Sequence, residues 1–328
     1  MKKLFVVLMA VMALFATTAK AQSSLLATLN HEGTISTFYG ATALQQAHEA
    51  AANGDVITLS SGTFLSVDIT KAVTLRGAGM ALDAATQTEP TVLSNNFNIT
   101  IDDEVADRLT IEGIYSNQQI NIKKLKNAMF LKDRIRIISI PGSSDYGKDL
   151  TFIHCRITEQ YSSWSKSNNS ATFQNCIVSK IGGENYSFKN CLVRQNQSNS
   201  SIALCANSEY KNCLLIEPYG YDNSMTMYNN LYFGSTKLDI PNNTNMQLAK
   251  DDERIKNLLT YSDDNDYKLT EEARAIMKGT DGTEVGIYGG SLPYDPTPTN
   301  PQISKFNVAA KTTADGKLSV DIEVKSAE

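Results

Sequence analysis

The sequence predicts an all-β chain folded as a single-stranded, right-handed parallel β-helix, and three observations predict it. A short motif containing cysteine recurs along the middle of the chain. The repeated segments are too short and too rich in β-branched residues for pairs of helices. The chain has 328 residues, of which 41% are hydrophobic, so it can bury a large core and is not a disordered chain. The right hand of the coil follows from the general rule for parallel crossovers.

The repeat has the pattern aromatic, any, polar, Cys, any, aliphatic. Four clear copies are Phe152–Ile157, Phe173–Val178, Phe188–Val193 and Tyr210–Leu215. With three looser copies, the position held by cysteine falls at Ile114, Asp133, Cys155, Cys176, Cys191, Cys213 and Asn230. A period near 20 residues is typical of a solenoid, in which each turn adds one rung at about 4.8 Å.

Cysteine at this position is expected to point inward and to stack between rungs as a small hydrophobic side chain. Stacked parallel Cβ vectors are badly aimed for disulfides, and the chain has no CxxC pair, so no metal site is predicted. Asparagine precedes three of the cysteines and is expected to form a ladder of amide hydrogen bonds between rungs. The predicted structural ladder therefore consists of Cys155, Cys176, Cys191, Cys213, Asn175, Asn190 and Asn212.

The N-terminus predicts export. A basic start precedes an apolar run from Leu4 to Phe15, and Ala19-Lys20-Ala21 is a small-x-small cleavage site. The run is too short for a membrane span, so residues 1–21 are expected to be a cleaved signal peptide and the mature protein to be secreted. Cleavage leaves 27 basic and 35 acidic residues, a charge of −8, which argues against a nucleic-acid partner.

The β-helix is expected to span residues 22–290, with a capping helix at about 42–53. Thr42 and Gln45 have the spacing of a capping box, and Asn53-Gly54 is a stop signal. Residues 291–301 contain four prolines and are interpreted as a stiff linker. The tail 302–328 carries an alternating strand after Asp315-Gly316, which predicts a β-hairpin that packs on the solenoid or offers a strand to a protein partner.

Two segments resemble one known superfamily. The first runs from Gly54-Asp55 to Phe64 and continues into Val73-Thr74-Leu75-Arg76-Gly77-Ala78-Gly79; the second runs from Gly279 to Gly290. Both are similar to secreted right-handed parallel β-helix proteins of the pectin-lyase-like superfamily, and the second to its Bacteroidetes members. The resemblance implies the fold but no single reaction, because the superfamily holds lyases, glycosidases, epimerases, adhesins and structural proteins.

The candidate catalytic residues lie in one region. Asp133 interrupts the cysteine ladder and is flanked by Lys132, Arg134 and Arg136, next to a basic stretch at Lys123, Lys124 and Lys126. A buried lone carboxylate is costly, so Asp133 is expected to point outward or to pair with an arginine. The basic stripe could hold a uronic-acid polymer for a polysaccharide lyase, which would need Ca²⁺; otherwise no cofactor is expected. The adjacent acids Asp102-Asp103-Glu104 are more typical of a turn than of a glycosidase pair.

Sugar recognition has separate candidates, because exposed aromatic rings stack on sugars. Two aromatic loops lie in a segment rich in Asn and Ser, and they contain Tyr161, Trp164, Tyr219 and Tyr221. The expected function is recognition of an extracellular or cell-surface polysaccharide. The alternatives are a polysaccharide lyase acting through the basic stripe and a structural surface or adhesin protein with a docking tail.

Overall fold

The computed structural model confirms a parallel β-solenoid of about 8 turns, with a short helix near the N-terminus and a C-terminal antiparallel hairpin. The structure describes residues 25–84, 86–163, 169–194, 202–220, 224–234, 238, 244–248, 252, 268–269, 271–299, 302–309, 311–313 and 315–325. The predicted signal peptide and Trp164 lie outside these residues. Within them, no helix is long and apolar enough to cross a membrane.

One wall of the solenoid is sheet A. In spatial order its strands are β2 (Thr34–Tyr39), β1 (Leu26–His31), β3 (Val56–Leu59), β5 (Thr74–Arg76), β8 (Thr110–Glu112), β10 (Met129–Leu131), β13 (Leu150–Ile153), β15 (Ala171–Gln174), β17 (Tyr186–Lys189), β20 (Glu209–Lys211) and β23 (Thr226–Tyr228). The strands from β3 onward pair in parallel, whereas β1 and β2 add an antiparallel pair at the N-terminal edge.

The opposite wall is sheet B. It runs β4 (Gly62–Phe64), β6 (Thr91–Leu93), β9 (Ile114–Lys126), β11 (Arg134–Ile140), β14 (Arg156–Ser163), β16 (Ile177–Ser179), β18 (Leu192–Arg194), β21 (Leu214–Ile216), β24 (Leu231–Phe233) and β25 (Met246–Leu248), and the long β9 also pairs with β7 (Phe97–Thr100) and β12 (Tyr146–Lys148). A further parallel pair is β19 (Ile202–Ala203) with β22 (Pro218–Tyr219).

The interior is built from columns of like side chains at the same position of each rung. The rings of Phe130, Phe152, Phe173, Phe188 and Tyr210 stack in parallel with centroids 4.7–4.8 Å apart. This spacing equals the distance between neighbouring strands, so the aromatic position of the repeat contributes one ring per rung to the stack. The predicted succession of rungs is therefore confirmed.

The cysteine column is also confirmed. Cys155, Cys176, Cys191 and Cys213 have no exposed surface, lie on four successive rungs and carry free thiols. Cys205 lies outside the column, is 3% exposed and is also free. Burial raises the pKa of its thiol to about 12, because the thiolate would be poorly solvated there.

The N-terminal helix α1 spans Ala43–Ala50 and is shorter than the predicted 42–53. The predicted capping box is wrong, since Thr42 makes no side-chain cap hydrogen bond. At the other end, the Lys71 ammonium donates to the carbonyl oxygens of His48, Glu49 and Ala51 at 2.7–2.8 Å. A cation from the following rung thus satisfies the free carbonyls and complements the helix dipole, which neither spacing nor propensity indicated.

One bend of the solenoid has a left-handed residue at each rung, immediately before the cysteine position. The φ angles lie between 48° and 57° at Lys132, His154, Asn175, Asn190, Asn212 and Asn229. Asparagine tolerates this conformation better than most residues, which explains its repetition. These side chains point away from the interior and contact residues 278–298, which we call the strap.

The strap runs along this bend against the direction of rung stacking. Asn212 accepts from the Thr280 amide at 2.9 Å, and Asn175 donates to the carbonyl oxygens of Ile287 and Gly289 at 2.8 Å. The expected amide ladder between rungs is wrong for these two side chains, because the strap takes their hydrogen bonds. Gly289 is required by close packing, since a Cβ there would lie 1.8 Å from the Glu284 carbonyl oxygen.

The strap also covers a second apolar core on the outside of sheet B. On the upper rungs the outward residues of this sheet are aliphatic, and they pack with Val285 and Ile287 of the strap and with helix α2 (Glu271–Ile276). The outward column consists of Ile177, Leu192, Leu214 and Leu231. Each of these strands is therefore apolar on both faces, as buried parallel strands are.

The proline-rich segment belongs to the strap and does not act as a spacer where it is described. His154 donates to the Leu292 carbonyl at 3.1 Å, and Lys132 pairs with Asp295 at 2.9 Å. Beyond it, β26 (Gln302–Val308) and β27 (Val320–Lys325) form the predicted antiparallel hairpin. Its apolar side chains Val308, Leu318, Val320, Ile322 and Val324 are 45–55% exposed.

Candidate functional site

An open cleft of about 470 Å³ crosses several rungs at the bend that precedes sheet A. It is lined mainly by hydroxyl, amide and carboxylate side chains, namely Asn127, Asp149, Thr151, Ser170, Thr172, Asn185, Ser187 and Asn207, with Leu150, Ala171 and Tyr186 between them. The cleft runs along the stacking direction, so its polar groups repeat from rung to rung at about 4.8 Å.

Backbone geometry explains why these residue types line the cleft. Asn127, Asp149, Asn185 and Asn207 have φ between 51° and 66°. Asn and Asp accept this left-handed bend, and they leave polar groups at the rim. On the floor, Thr151, Thr172 and Ser187 occupy the same outward position of β13, β15 and β17. The result is a row of hydroxyls beside a row of amides.

Part of this polar surface is fixed by its own hydrogen bonds. The Ser170 hydroxyl donates to Asp149 at 3.1 Å and accepts from the Asp149 amide at 2.7 Å. Asn207 donates to the Glu184 carboxylate at 3.1 Å. The Ser187 hydroxyl, in contrast, is shielded and has no hydrogen-bond partner within the described ranges. The fixed Asp149 carboxylate and the amides of the rim suit a polyhydroxylated ligand, and the shielded Ser187 hydroxyl is not counted among the groups offered to it.

The predicted aromatic binding residues do not form this site. Tyr161 has no exposed surface, and its ring packs edge-on against Phe152, Phe173 and Tyr186 with centroids 5.3–5.9 Å apart. The expectation of an exposed Tyr161 ring is therefore wrong, because the ring fills the interior beside the aromatic column. Tyr219 contributes backbone to β22, while its side chain, Trp164 and Tyr221 lie outside the described residues.

The basic candidates lie on the outer surface, where acids neutralise several of them. Lys123 pairs with Asp145 at 3.5 Å, Lys124 with Asp102 at 3.1 Å and Arg136 with Glu159 at 2.6 Å.

Two further basic candidates are held by other contacts. The Arg134 guanidinium lies over the Tyr115 ring at 4.6 Å, and Lys132 is bound to the strap. These contacts favour a solvated wall over a catalytic stripe.

Asp133 is 1% exposed and points into the solenoid. The expectation that it turns outward or pairs with an arginine is wrong. Its Oδ1 accepts a 2.8 Å hydrogen bond from the Ile114 amide inside the coil. A side chain in this position cannot reach a polymer on the outer wall. In the described part of the chain, no group of three or more His, Cys, Asp or Glu could hold a metal ion.

The cleft could not be found from the hexapeptide repeat, because its residues lie at the other end of each sheet A strand. The available signal was the recurrence of Asn or Asp followed by an apolar residue, as in Asn127-Ala128, Asp149-Leu150 and Asn185-Tyr186. Comparisons with known protein families, with curated proteins and with solved structures find no match for this chain. Its class is therefore defined by the fold alone, as a parallel β-solenoid.

Proposed function

We propose that this protein is an exported polysaccharide-binding protein that holds a neutral stretch of glycan in the cleft along sheet A. The observation that carries the proposal is the cleft itself, with hydroxyls on its floor and amides and a carboxylate on its rim, repeated over successive rungs. A polymer lying along the solenoid axis would meet the same kind of group on each floor. The signal-peptide pattern and the resemblance to secreted pectin-lyase-like proteins support the same proposal.

The test compares binding of soluble neutral and acidic polysaccharides by affinity electrophoresis and calorimetry. Thr172→Val keeps the shape of the side chain and removes the hydroxyl in the middle of the cleft. Since one hydrogen bond contributes about 0.5–1.5 kcal/mol, affinity should fall roughly 2- to 13-fold. Thr74→Val is the matched control, because Thr74 holds the same outward position on β5, outside the cleft.

The proposal fails if no polysaccharide binds, or if Thr172→Val and Thr74→Val bind equally well.

The second candidate function is a polysaccharide lyase. Arg134 and Arg156 lie in register on neighbouring strands, and this pair of cations favours the lyase because it could bind a polyanion. Release of ultraviolet-absorbing unsaturated products from a uronate polymer, abolished in Arg134→Ala, would establish the lyase and displace the binding proposal. Ca²⁺ is proposed only as part of that alternative.

The hairpin supports the third reading, in which the tail docks a protein partner. Val320, Ile322 and Val324 alternate along β27 and therefore share one face, and the exposed Leu318 lies two residues before the strand. An isolated two-stranded hairpin is only marginally stable in water, so such a face gains stability when it is covered. Loss of cell association after deletion of residues 301–328, with unchanged glycan binding, would assign docking to the tail.

A further inference from the structure

The interior position after each left-handed residue makes the same two hydrogen bonds on rung after rung. As donors, the thiols of Cys155, Cys176, Cys191 and Cys213 lie 3.2–3.4 Å from the carbonyl oxygen of the aromatic residue one rung earlier. Each thiol also has a second acceptor at 3.2–3.4 Å, the carbonyl oxygen two residues earlier in its own rung. Asn230 and Asn245 donate their amides to the equivalent carbonyls of Tyr210 and Met227 at 2.8 and 2.9 Å. Six different rungs therefore place a donor here.

The same side chains also accept. The backbone amides of Cys155 and Cys191 donate to the sulfur of the next rung at 3.3 and 3.5 Å. The amides of Cys213 and Asn230 donate to the Oδ1 atoms of Asn230 and Asn245 at 2.9 and 3.0 Å. This amide points into the coil because the bend turns it away from the strand ladder. Each position thus requires a donor and an acceptor on one short side chain, and both thiol and carboxamide supply them.

Asp133 occupies the next position of this column. Its Oδ1 accepts from the Ile114 amide at 2.8 Å, as the rule requires. Its Oδ2 is buried and has no hydrogen-bond partner among the described residues. The carbonyl oxygen that the rule assigns to it belongs to Ile111, which is in register with Phe130. A carboxylate has no hydrogen to donate to that oxygen, whereas a carboxylic acid has one.

We propose that Asp133 is a neutral carboxylic acid in the folded protein, with its O–H donated to the Ile111 carbonyl oxygen and its other oxygen accepting from the Ile114 amide. The residue then does what cysteine and asparagine do on the rungs above. An isolated carboxylate in the same place would be desolvated and would face the Ile111 carbonyl oxygen with no hydrogen between them, and both effects are unfavourable.

The charged neighbours agree with a neutral Asp133. Glu112, on the preceding rung, pairs with Arg76 at 3.0 Å. Lys132 turns outward to Asp295, and the Arg134 guanidinium lies over Tyr115. Burial raises the pKa of the Asp133 carboxyl well above its ordinary value of 3.8, and the Glu112 carboxylate raises this pKa further. Backbone hydrogen bonding by Ile114 and Leu131 lowers this pKa but does not offset the effect of burial.

A raised pKa in the folded state fixes the sign of the pH effect. The folded protein keeps a proton that the unfolded chain loses above pH 3.8, so this rung is most stable in acid. Stability declines as the pH rises from 3.8 toward the folded-state pKa, and it becomes constant above that value. Over this window the unfolding constant rises up to tenfold per pH unit.

The test uses Asp133→Asn, which supplies both hydrogen bonds without a titratable proton. Denaturant unfolding from pH 4 to 8 should show that the variant is more stable than the wild-type chain at pH 7, and that the difference shrinks toward pH 4. Asn230→Asp is the reciprocal control, because it installs a carboxyl in the same column. It should unfold more easily than wild type at pH 7 and recover toward pH 4.

A direct measurement does not depend on the stability of any variant. The infrared spectrum of the wild-type chain at pH 7 should contain the carbonyl band of a protonated carboxylic acid, and Asp133→Asn should lack it. The proposal is overturned if that band is missing at pH 7, or if wild type and Asp133→Asn differ by the same free energy at every pH.

Discussion

The first prediction concerns the hydrogen bonds by which the strap is held against the side of the solenoid. Asn175→Gly removes the amide that donates to the Ile287 and Gly289 carbonyl oxygens at 2.8 Å. Glycine adopts the native φ of 48° without strain, so the rung itself is preserved. A buried polar group left without a partner costs about 1–3 kcal/mol, and two are left here. We expect a loss of roughly 2–4 kcal/mol, because water entering the gap recovers part of the larger sum.

Asn229→Gly is the matched control. Asn229 has the same left-handed conformation and also donates to a strap carbonyl, that of Lys278 at 2.9 Å, but this contact is exposed to solvent. Water replaces its partner, so the expected loss is only about 0.5–1 kcal/mol. The difference between the two variants therefore measures burial and not the substitution.

The assay combines denaturant unfolding with amide hydrogen exchange. If the strap opens locally, exchange in residues 286–290 should accelerate in Asn175→Gly while the interior rungs keep their protection. Opening would also expose the aliphatic column of sheet B, so binding of a hydrophobic dye should increase. Equal losses in Asn175→Gly and Asn229→Gly, or unchanged exchange in the strap, would refute a closing role for this contact.

Two further predictions concern the aromatic column and the N-terminal end. Phe173→Ala should lower the free energy of unfolding in denaturant by about 3–5 kcal/mol, since it leaves a cavity at a fully buried position between two rings stacked at 4.8 Å. A loss no larger than that of Phe173→Leu would contradict the stack. In an NMR titration His31 should protonate at higher pH than His48, because the hydrogen bond to Asp55 raises the pKa of His31 while burial lowers the pKa of His48. The contribution of His31 to stability is therefore lost as pH rises through its folded-state pKa. The contribution of His48 is lost as pH falls below 6.5. The reverse order of titration would contradict the His31–Asp55 contact.

The rung succession could be predicted because one short motif contains both an aromatic and a cysteine at fixed positions. Each of these side chains must fill the narrow interior at one rung, so the spacing of the motif in the sequence gives the order of side chains in each interior column. The outer core was harder to predict. Ile177, Leu192 and Leu214 fall at a position that varies in the motif, and Arg156 holds it one rung earlier. Its apolar character depends on which side chains cover that rung, and on the upper rungs these are Val285 and Ile287 of the strap and helix α2.

The misplaced candidates share one physical cause. The sequence predicts an exposed Tyr161 because its segment is rich in Asn and Ser, and it predicts that Asp133 turns outward or pairs with an arginine because a lone buried carboxylate is costly. Local sequence carries no record of the groups that a distant rung offers to either side chain. Tyr161 is placed by three surrounding rings, and Asp133 by a backbone amide and a carbonyl one rung away. Contacts between rungs join residues about 20 positions apart, beyond the reach of local patterns.

In the repeated Asn-Cys pair, the two side chains have roles that differ from those their residue types suggest. Asparagine is the familiar hydrogen-bonding residue, yet at Asn175 and Asn212 it faces outward and binds the strap. Cysteine is the small apolar residue, yet it joins the rungs through a donor and an acceptor inside the coil. Because the bend alternates an outward left-handed residue with an inward polar position, any pair that meets both demands can replace Asn-Cys. Lys132-Asp133 is such a pair, with Lys132 bound to the strap and Asp133 bonded within the column. This bend therefore requires a left-handed φ and a side chain with hydrogen-bonding capacity after it, and the thiol is one of several groups that meet the second requirement.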